Sequence, residues 1–184
     1  LGFKMVSAQD EAEELLMVAC AAAVYTPKQA DKSALPNFVA RLKAAQISVA
    51  GILQENRFDP EGNRRFIDSV DITTGARFAI KRPMPVEDEC GLDVGNLVET
   101  SAILRNAIAA QPDLIVIEKY GDQEQEGEGL LDEIMQIIAE GIPLLIAVPE
   151  PALEIWQSQC GGLGTTIAYD ENAMMEWWQG LSDD

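Results

Sequence analysis

Hydrophobic residues fall along the chain in two rhythms. Five apolar runs, at 17–25, 47–54, 114–118, 143–148 and, most weakly, 165–169, are continuous rather than alternating. Continuous runs suit parallel strands covered on both faces, because neither face meets water. Between these runs the apolar positions return every three or four residues. Segment 33–45 carries Leu35, Phe38, Val39 and Leu42; segment 94–110 carries Leu97, Val98, Leu104 and Ile108; segment 130–140 carries Leu131, Ile134, Ile137 and Ile138. That spacing lines one face of a helix. Strands alternating with helices predict an α/β fold built on a doubly wound, mostly parallel sheet.

One stretch departs from the rhythm. Asp59-Pro60-Glu61-Gly62 is a turn sequence, and segments 66–72 and 77–80 flank a second turn, Thr73-Thr74-Gly75-Ala76. Short β-prone runs around such turns predict an antiparallel β-hairpin, inserted here between the second and third parallel strands. The aromatic tail around Met174, Trp177 and Trp178 is expected to dock on the domain. Residues 1–15 read as an acidic leader, and 16–184 as a single α/β domain.

Charge narrows the possible partners. The 184 residues include 13 Lys and Arg against 31 Asp and Glu, for a formal net charge of -18. Nucleic acid would be repelled at long range. No Lys or Arg follows Lys119, whereas fourteen Asp and Glu do. The plain reading is a solvated acidic face; the other is a surface that docks to a basic partner. No apolar run approaches the roughly 20 residues of a membrane span, so membrane insertion is not expected.

The chain has no histidine and three cysteines, Cys20, Cys90 and Cys160. Histidine-dependent nucleophilic catalysis and histidine metal sites are therefore excluded. The cysteine spacing is neither a disulfide framework nor a zinc pattern, so no metal ligand is assigned and a reducing cytoplasm fits. Cys20 is expected to be buried and inert.

In an open parallel sheet, ligands bind at the carboxyl ends of the strands. The loop after the first strand runs from Thr26 to Lys32-Ser33 and then enters a helix. A phosphate-binding loop needs Gly, four residues, then Gly-Lys-Ser/Thr. Lys32-Ser33 falls in the right place, but Thr26 and Asp31 occupy the two glycine positions. Side chains there hinder the backbone from wrapping a phosphate, and Asp31 adds a negative charge. The alternative is that Ser33 or Asp31 simply caps the helix. The third strand ends in Glu118-Lys119; an acid after four apolar residues resembles the magnesium-binding strand of nucleoside-triphosphatases, where Glu118 could hold a metal through water, and it is also the ordinary form of a solvated strand end. Where a second acid often helps align water in nucleoside-triphosphatases, this chain has Lys119. Arg57, Arg64 and Arg65 are read into the loop after the second strand. With Lys28, Lys32 and Lys119 they bring six of the thirteen basic residues to one rim. Two readings stand: an anion site, or chance placement in exposed loops.

From 18 to 178 the chain resembles the family called domain of unknown function 2478. The matching pieces include Ala22-Ala23-Val24-Tyr25, Val49-Ala50-Gly51-Ile52-Leu53-Gln54, Asp71-Ile72-Thr73-Thr74-Gly75 and Asp113-Leu114-Ile115-Val116-Ile117. The most telling are Lys119-Tyr120-Gly121, Glu124, Gly127 and Gly129, followed by Gly141-Ile142-Pro143 and Trp156. Glu118 stands where that family usually has Asn, and Asp122 where it often has a basic residue. The resemblance implies a P-loop-NTPase-like fold and a setting in molybdenum or nitrogen metabolism; it supplies no activity.

The resulting expectation is a non-hydrolytic accessory protein. It would bind a nucleotide or an oxyanion at the strand ends through Lys28, Lys32, Ser33, Arg57, Arg64, Arg65, Lys119 and Glu124. The alternative is an acidic interaction module that docks to a metalloenzyme or transporter partner without a small ligand. The degenerate loop predicts no ATP or GTP hydrolysis, and no cofactor is identified.

Overall fold

The continuous apolar runs become the centre of a seven-stranded sheet. In a computed structural model, residues 20–29, 32–58, 60–62, 65–81, 94–162 and 164–182 are described. The acidic leader, Asp31, Arg64 and Cys90 lie outside them. The strands are β1 (Cys20–Tyr25), β2 (Val49–Phe58), β3 (Arg65–Asp71), β4 (Arg77–Lys81), β5 (Leu114–Ile117), β6 (Leu144–Pro149) and β7 (Thr165–Ala168). Their order across the sheet is β4-β3-β2-β5-β6-β1-β7. β2, β5, β6, β1 and β7 run parallel, and β3 and β4 are antiparallel additions at one end. The helices are α1 (Ala34–Ala44), α2 (Val94–Ala110), α3 (Asp122–Gln125), α4 (Leu131–Ala139), α5 (Leu153–Gln159) and α6 (Glu171–Ser182).

Strand periodicity divides the core into two layers. Ile115 and Ile117 of β5 face a layer with Leu104, Ile134, Ile137 and Trp156, from α2, α4 and α5. Leu114 and Val116 face the opposite layer, with Leu35, Phe38 and Leu42 of α1 and Met174 of α6. Each fully buried large aliphatic side chain contributes on the order of 1.5–3 kcal/mol. The tail docks as expected: Met174 is fully buried, and Trp177 and Trp178 pack beside it. β7 differs from its neighbours, because it is an edge strand and three of its four residues are exposed.

β2 can lie beside β5 only because position 51 is glycine. Gly51 has φ +121°, and a Cβ there would sit 2.0 Å from the Val116 carbonyl oxygen. The expected hairpin is present, with β3 and β4 paired antiparallel from Val70↔Arg77. Arg77 bonds the buried Asp68 carboxylate at 3.3 Å and also pairs with Glu55 of β2.

One expectation is corrected here. Arg57 and Arg65 are not in a loop: β2 continues to Phe58 and pairs antiparallel with β3, matching Arg57 with Phe66 and Phe58 with Arg65. The parallel ladder between β2 and β5 ends at Ile52↔Ile117. Beyond it, the backbone of β2 would lack partners unless β3 folded back against it.

The winding is double. The connection after β1 leads to α1 on one face, whereas the connection after the adjacent β6 leads to α5 on the other. The arrangement is a doubly wound, P-loop-like α/β fold with an inserted hairpin, and such a reversal opens a crevice at the carboxyl ends of the strands.

Candidate functional site

A cavity of about 280 Å³ lies at these strand ends. Tyr25 closes β1, Gln54 and Asn56 come from the extended part of β2, and Ile67 comes from β3. Glu118 and Lys119 follow β5, Tyr169 follows β7, and Lys32 and Ser33 lead into α1.

Two tyrosines fix Lys32. The Tyr169 hydroxyl donates to the Lys32 carbonyl at 2.9 Å. The Lys32 ammonium lies 5.3 Å from the centroid of the Tyr25 ring, within cation–π range. The two rings meet edge-on, with centroids 5.6 Å apart. Tyr169 also holds the start of the loop, since its carbonyl accepts from the Gln29 side-chain amide at 3.4 Å. Ser33 stands at the N-cap of α1, but its side chain makes no capping hydrogen bond. Ser33 thus lines the cavity at a helix N-terminus, whose first N–H groups carry partial positive charge. The Tyr25 hydroxyl is pushed up to about 12, mainly by burial, with Glu118 and Asp122 adding to the effect.

Glu118 is the acidic wall. Its Oε2 accepts from the Gln54 backbone N–H at 3.0 Å. Burial raises its pKa from 4.5 to about 7, with Glu55 adding. The Gln54 N–H, Lys32 and Lys119 act in the opposite direction, because each favours the ionised form. The cavity thus combines two lysines, the start of a helix and a carboxyl whose pKa burial raises to about 7.

Of the residues singled out in the sequence, Lys32, Ser33 and Lys119 meet in this cavity. Lys28 is exposed in the turn after β1 and is not part of the lining. Arg57 and Arg65 belong to the strand pair already described, and Arg64 lies outside the described residues. Glu124 is buried in α3, away from the cavity lining. Its carboxylate accepts from the N–H groups of Gly121 at 3.1 Å and Leu130 at 3.4 Å, closing the intervening loop on itself. Gly129, with φ +62°, leaves room for that carboxylate, since a Cβ there would sit 1.8 Å from Oε2.

Sequence reasoning missed Tyr25, Gln54, Asn56, Ile67 and Tyr169. Tyr25 and Tyr169 carried a signal, because each is a polar-tipped aromatic at the end of an apolar run. Cys20 is buried as expected, and its thiol is pushed up to about 12 by burial and by nearby Cys160. Among the described residues, no group of three or more His, Cys, Asp or Glu could hold a metal ion. No helix among them is long and apolar enough to cross a membrane.

A strand-end cavity at the mouth of a doubly wound sheet places the protein in the P-loop-like class of α/β folds. The chain belongs to the family described as Protein of unknown function (DUF2478), which it matches over residues 20–177. It is also 37% identical over 163 residues to a protein of Bradyrhizobium diazoefficiens named Molybdenum import ATP-binding protein ModC 2. That match covers 88% of this chain but only 18% of the relative, which is a much longer protein. No solved structure gives a significant match.

Proposed function

We propose that this chain is an accessory protein that binds a nucleotide or an oxyanion in the strand-end cavity without hydrolysing it. The observation that carries the reading is local. On a chain of net charge -18, Lys32 and Lys119 share one cavity with the N-terminus of α1. Helix N-termini and ammonium groups are the usual partners of phosphate and related anions. The relative's name supports a nucleotide and a molybdenum setting, although the chain spans only 18% of that relative.

Binding without turnover follows from what the loop lacks. Thr26 and Asp31 stand where phosphate-binding loops carry glycine, and Lys119 stands where a second acid would orient water. Phosphoryl transfer depends almost wholly on positioning and charge neutralisation. Loss of a single stabilising contact can cost roughly a hundredfold in rate, and several are absent together. Magnesium-dependent release of phosphate from ATP or GTP is expected to stay at background; turnover abolished by Lys32→Ala would contradict this.

A second reading is favoured by the lack of any Lys or Arg after Lys119 and by the occurrence of the matched segment within a much longer relative. In that reading the acidic last third docks to a basic surface of a transporter or metalloenzyme partner in the cytoplasm. A thermal-shift panel of nucleotides, phosphate, molybdate, tungstate and sulfate separates the two, because a ligand that binds only the folded state raises its stability. Stabilisation that Lys32→Ala removes supports the cavity reading. An unchanged melting temperature across the panel supports the docking reading.

A further inference from the structure

We infer that Glu118 is the specificity-determining residue of the strand-end cavity, selecting anions that carry a hydrogen-bond-donating hydroxyl over bare oxyanions. The ligand class is then a hydrogen phosphate, or a nucleotide whose ribose hydroxyl reaches the carboxylate, rather than sulfate or molybdate. This deepens the proposed anion-binding function and rests on it.

The geometry supplies both halves of the recognition. Lys32, Lys119 and the N-terminus of α1 attract negative charge. A carboxylate in the same cavity repels it unless the ligand offers a proton. Glu118 is held by the backbone of β2, because its Oε2 accepts from the Gln54 N–H at 3.0 Å. A carboxylate offers about four lone-pair sites on its two oxygens, so one such bond leaves acceptor capacity toward the cavity that Glu118 lines. An ionised carboxylate can only accept hydrogen bonds. A ligand oxygen without hydrogen would meet it as two acceptors in contact, leaving both unpaired in a partly buried site. A hydroxyl on the ligand turns that clash into a charge-assisted hydrogen bond. Sulfate and molybdate carry no proton near neutral pH, whereas hydrogen phosphate retains one and ribose has two hydroxyls.

Charged and titratable groups reach Glu118 from each neighbouring element. Lys32 precedes α1, Lys119 follows on its own strand, and Glu55 lies on β2. The Tyr25 hydroxyl, which feels both Glu118 and Asp122 of α3, comes from β1. Burial sets the balance, so the Glu118 carboxyl titrates at about 7. Above that point it is an acceptor and discriminates. Below it, the neutral acid donates, and a bare oxyanion can bind.

Isothermal titration calorimetry on the whole chain tests this with inorganic phosphate, adenosine monophosphate, its 2′,3′-dideoxy analogue, sulfate and molybdate. Titrations are run about one pH unit above and one below the midpoint of Glu118. In the wild type at the higher pH, phosphate or adenosine monophosphate is expected to bind at least about tenfold more tightly than sulfate and molybdate. If the hydroxyl comes from ribose, the dideoxy analogue loses that advantage; if it comes from phosphate, inorganic phosphate keeps it. Sulfate affinity is expected to rise by up to about tenfold at the lower pH, as linkage to one proton requires. Glu118→Gln, whose amide can donate, is expected to bind sulfate and molybdate without the pH dependence. The pH comparison on the wild type needs no variant and stands if Glu118→Gln fails to fold. Equal binding of sulfate and phosphate by the wild type at the higher pH overturns the inference while leaving the anion site intact. No binding of any anion at either pH overturns the site itself.

Discussion

Two glutamates leave the end of β5 six positions apart, and they serve opposite purposes. Glu118 and Glu124 are both shifted upward by burial. Glu124 is fully engaged, with N–H groups of Gly121 and Leu130 directed at its carboxylate. Glu118 accepts one backbone N–H, from Gln54, and turns toward a cavity that contains two lysines. One acid therefore organises a loop, whereas the other shapes a site. Neither burial nor the pKa direction separates them; the hydrogen-bond partners and the cavity lining do. A buried acid tied down by local backbone N–H groups acts as a cap, and one that lines a cavity is available to a ligand.

The sharpest way to break this comparison is at Gly129. In Gly129→Ala, the methyl group would occupy the space of the Glu124 carboxylate, at a left-handed backbone position. Left-handed backbone costs a non-glycine residue about 1–3 kcal/mol, and displacing the carboxylate leaves two N–H groups unpaired. A loss of about 2–4 kcal/mol in urea unfolding is expected, with anion affinity retained by the folded protein. Adding Glu124→Ala should cost much less than in the wild type, because the first substitution has already broken the same contacts.

Lys32→Ala has the reverse signature. Its side chain is exposed and loses only the contact with the Tyr25 ring, so stability should change by less than about 1 kcal/mol. Loss of a charged contact to an anion should weaken binding by about tenfold or more in calorimetry. A large loss of stability without loss of binding would place Lys32 in the same structural role as Glu124.

Glu118 also gives stability a pH dependence. The folded-state pKa of Glu118, about 7, lies above its ordinary value of 4.5. The folded protein therefore holds this proton more tightly than the unfolded chain. The stabilisation is complete below 4.5 and is lost as pH rises through about 7. Glu118→Gln cannot ionise, so the stability difference between variant and wild type should shift in favour of the variant across that window. A difference that does not change with pH would mean that the carboxyl ionises alike in both states.

Much of the fold was legible because it rests on periodicity. The runs that became β1, β5 and β6 are apolar throughout because helices cover both faces. The turn at Thr74-Gly75 marked the hairpin. The continuation of β2 to Phe58 was not legible, since Gln54, Glu55, Asn56 and Arg57 are polar and pair only because β3 returns beside them. The short helices α3 and α5 also escaped notice, being too brief for a helical period to emerge. For the site, Lys32-Ser33 and Lys119 were visible as motif remnants at strand ends. The tyrosines that hold Lys32 were not, because Tyr25 and Tyr169 lie far apart in sequence and meet only where β1 and β7 pair. Glu124 was attached to the site by its place in a family motif, whereas its carboxylate closes the loop from Gly121 to Leu130.

The most direct test of anion binding in the β1–α1 cavity is a titration followed by backbone amide NMR. Adding adenosine monophosphate or phosphate is expected to shift the amides of Lys32, Ser33, Ala34, Gln54 and Lys119. Those of Gly121, Glu124, Gly129 and Leu130 are expected to stay in place. Shifts centred on the Glu124 loop, or no shifts at millimolar ligand, would contradict it.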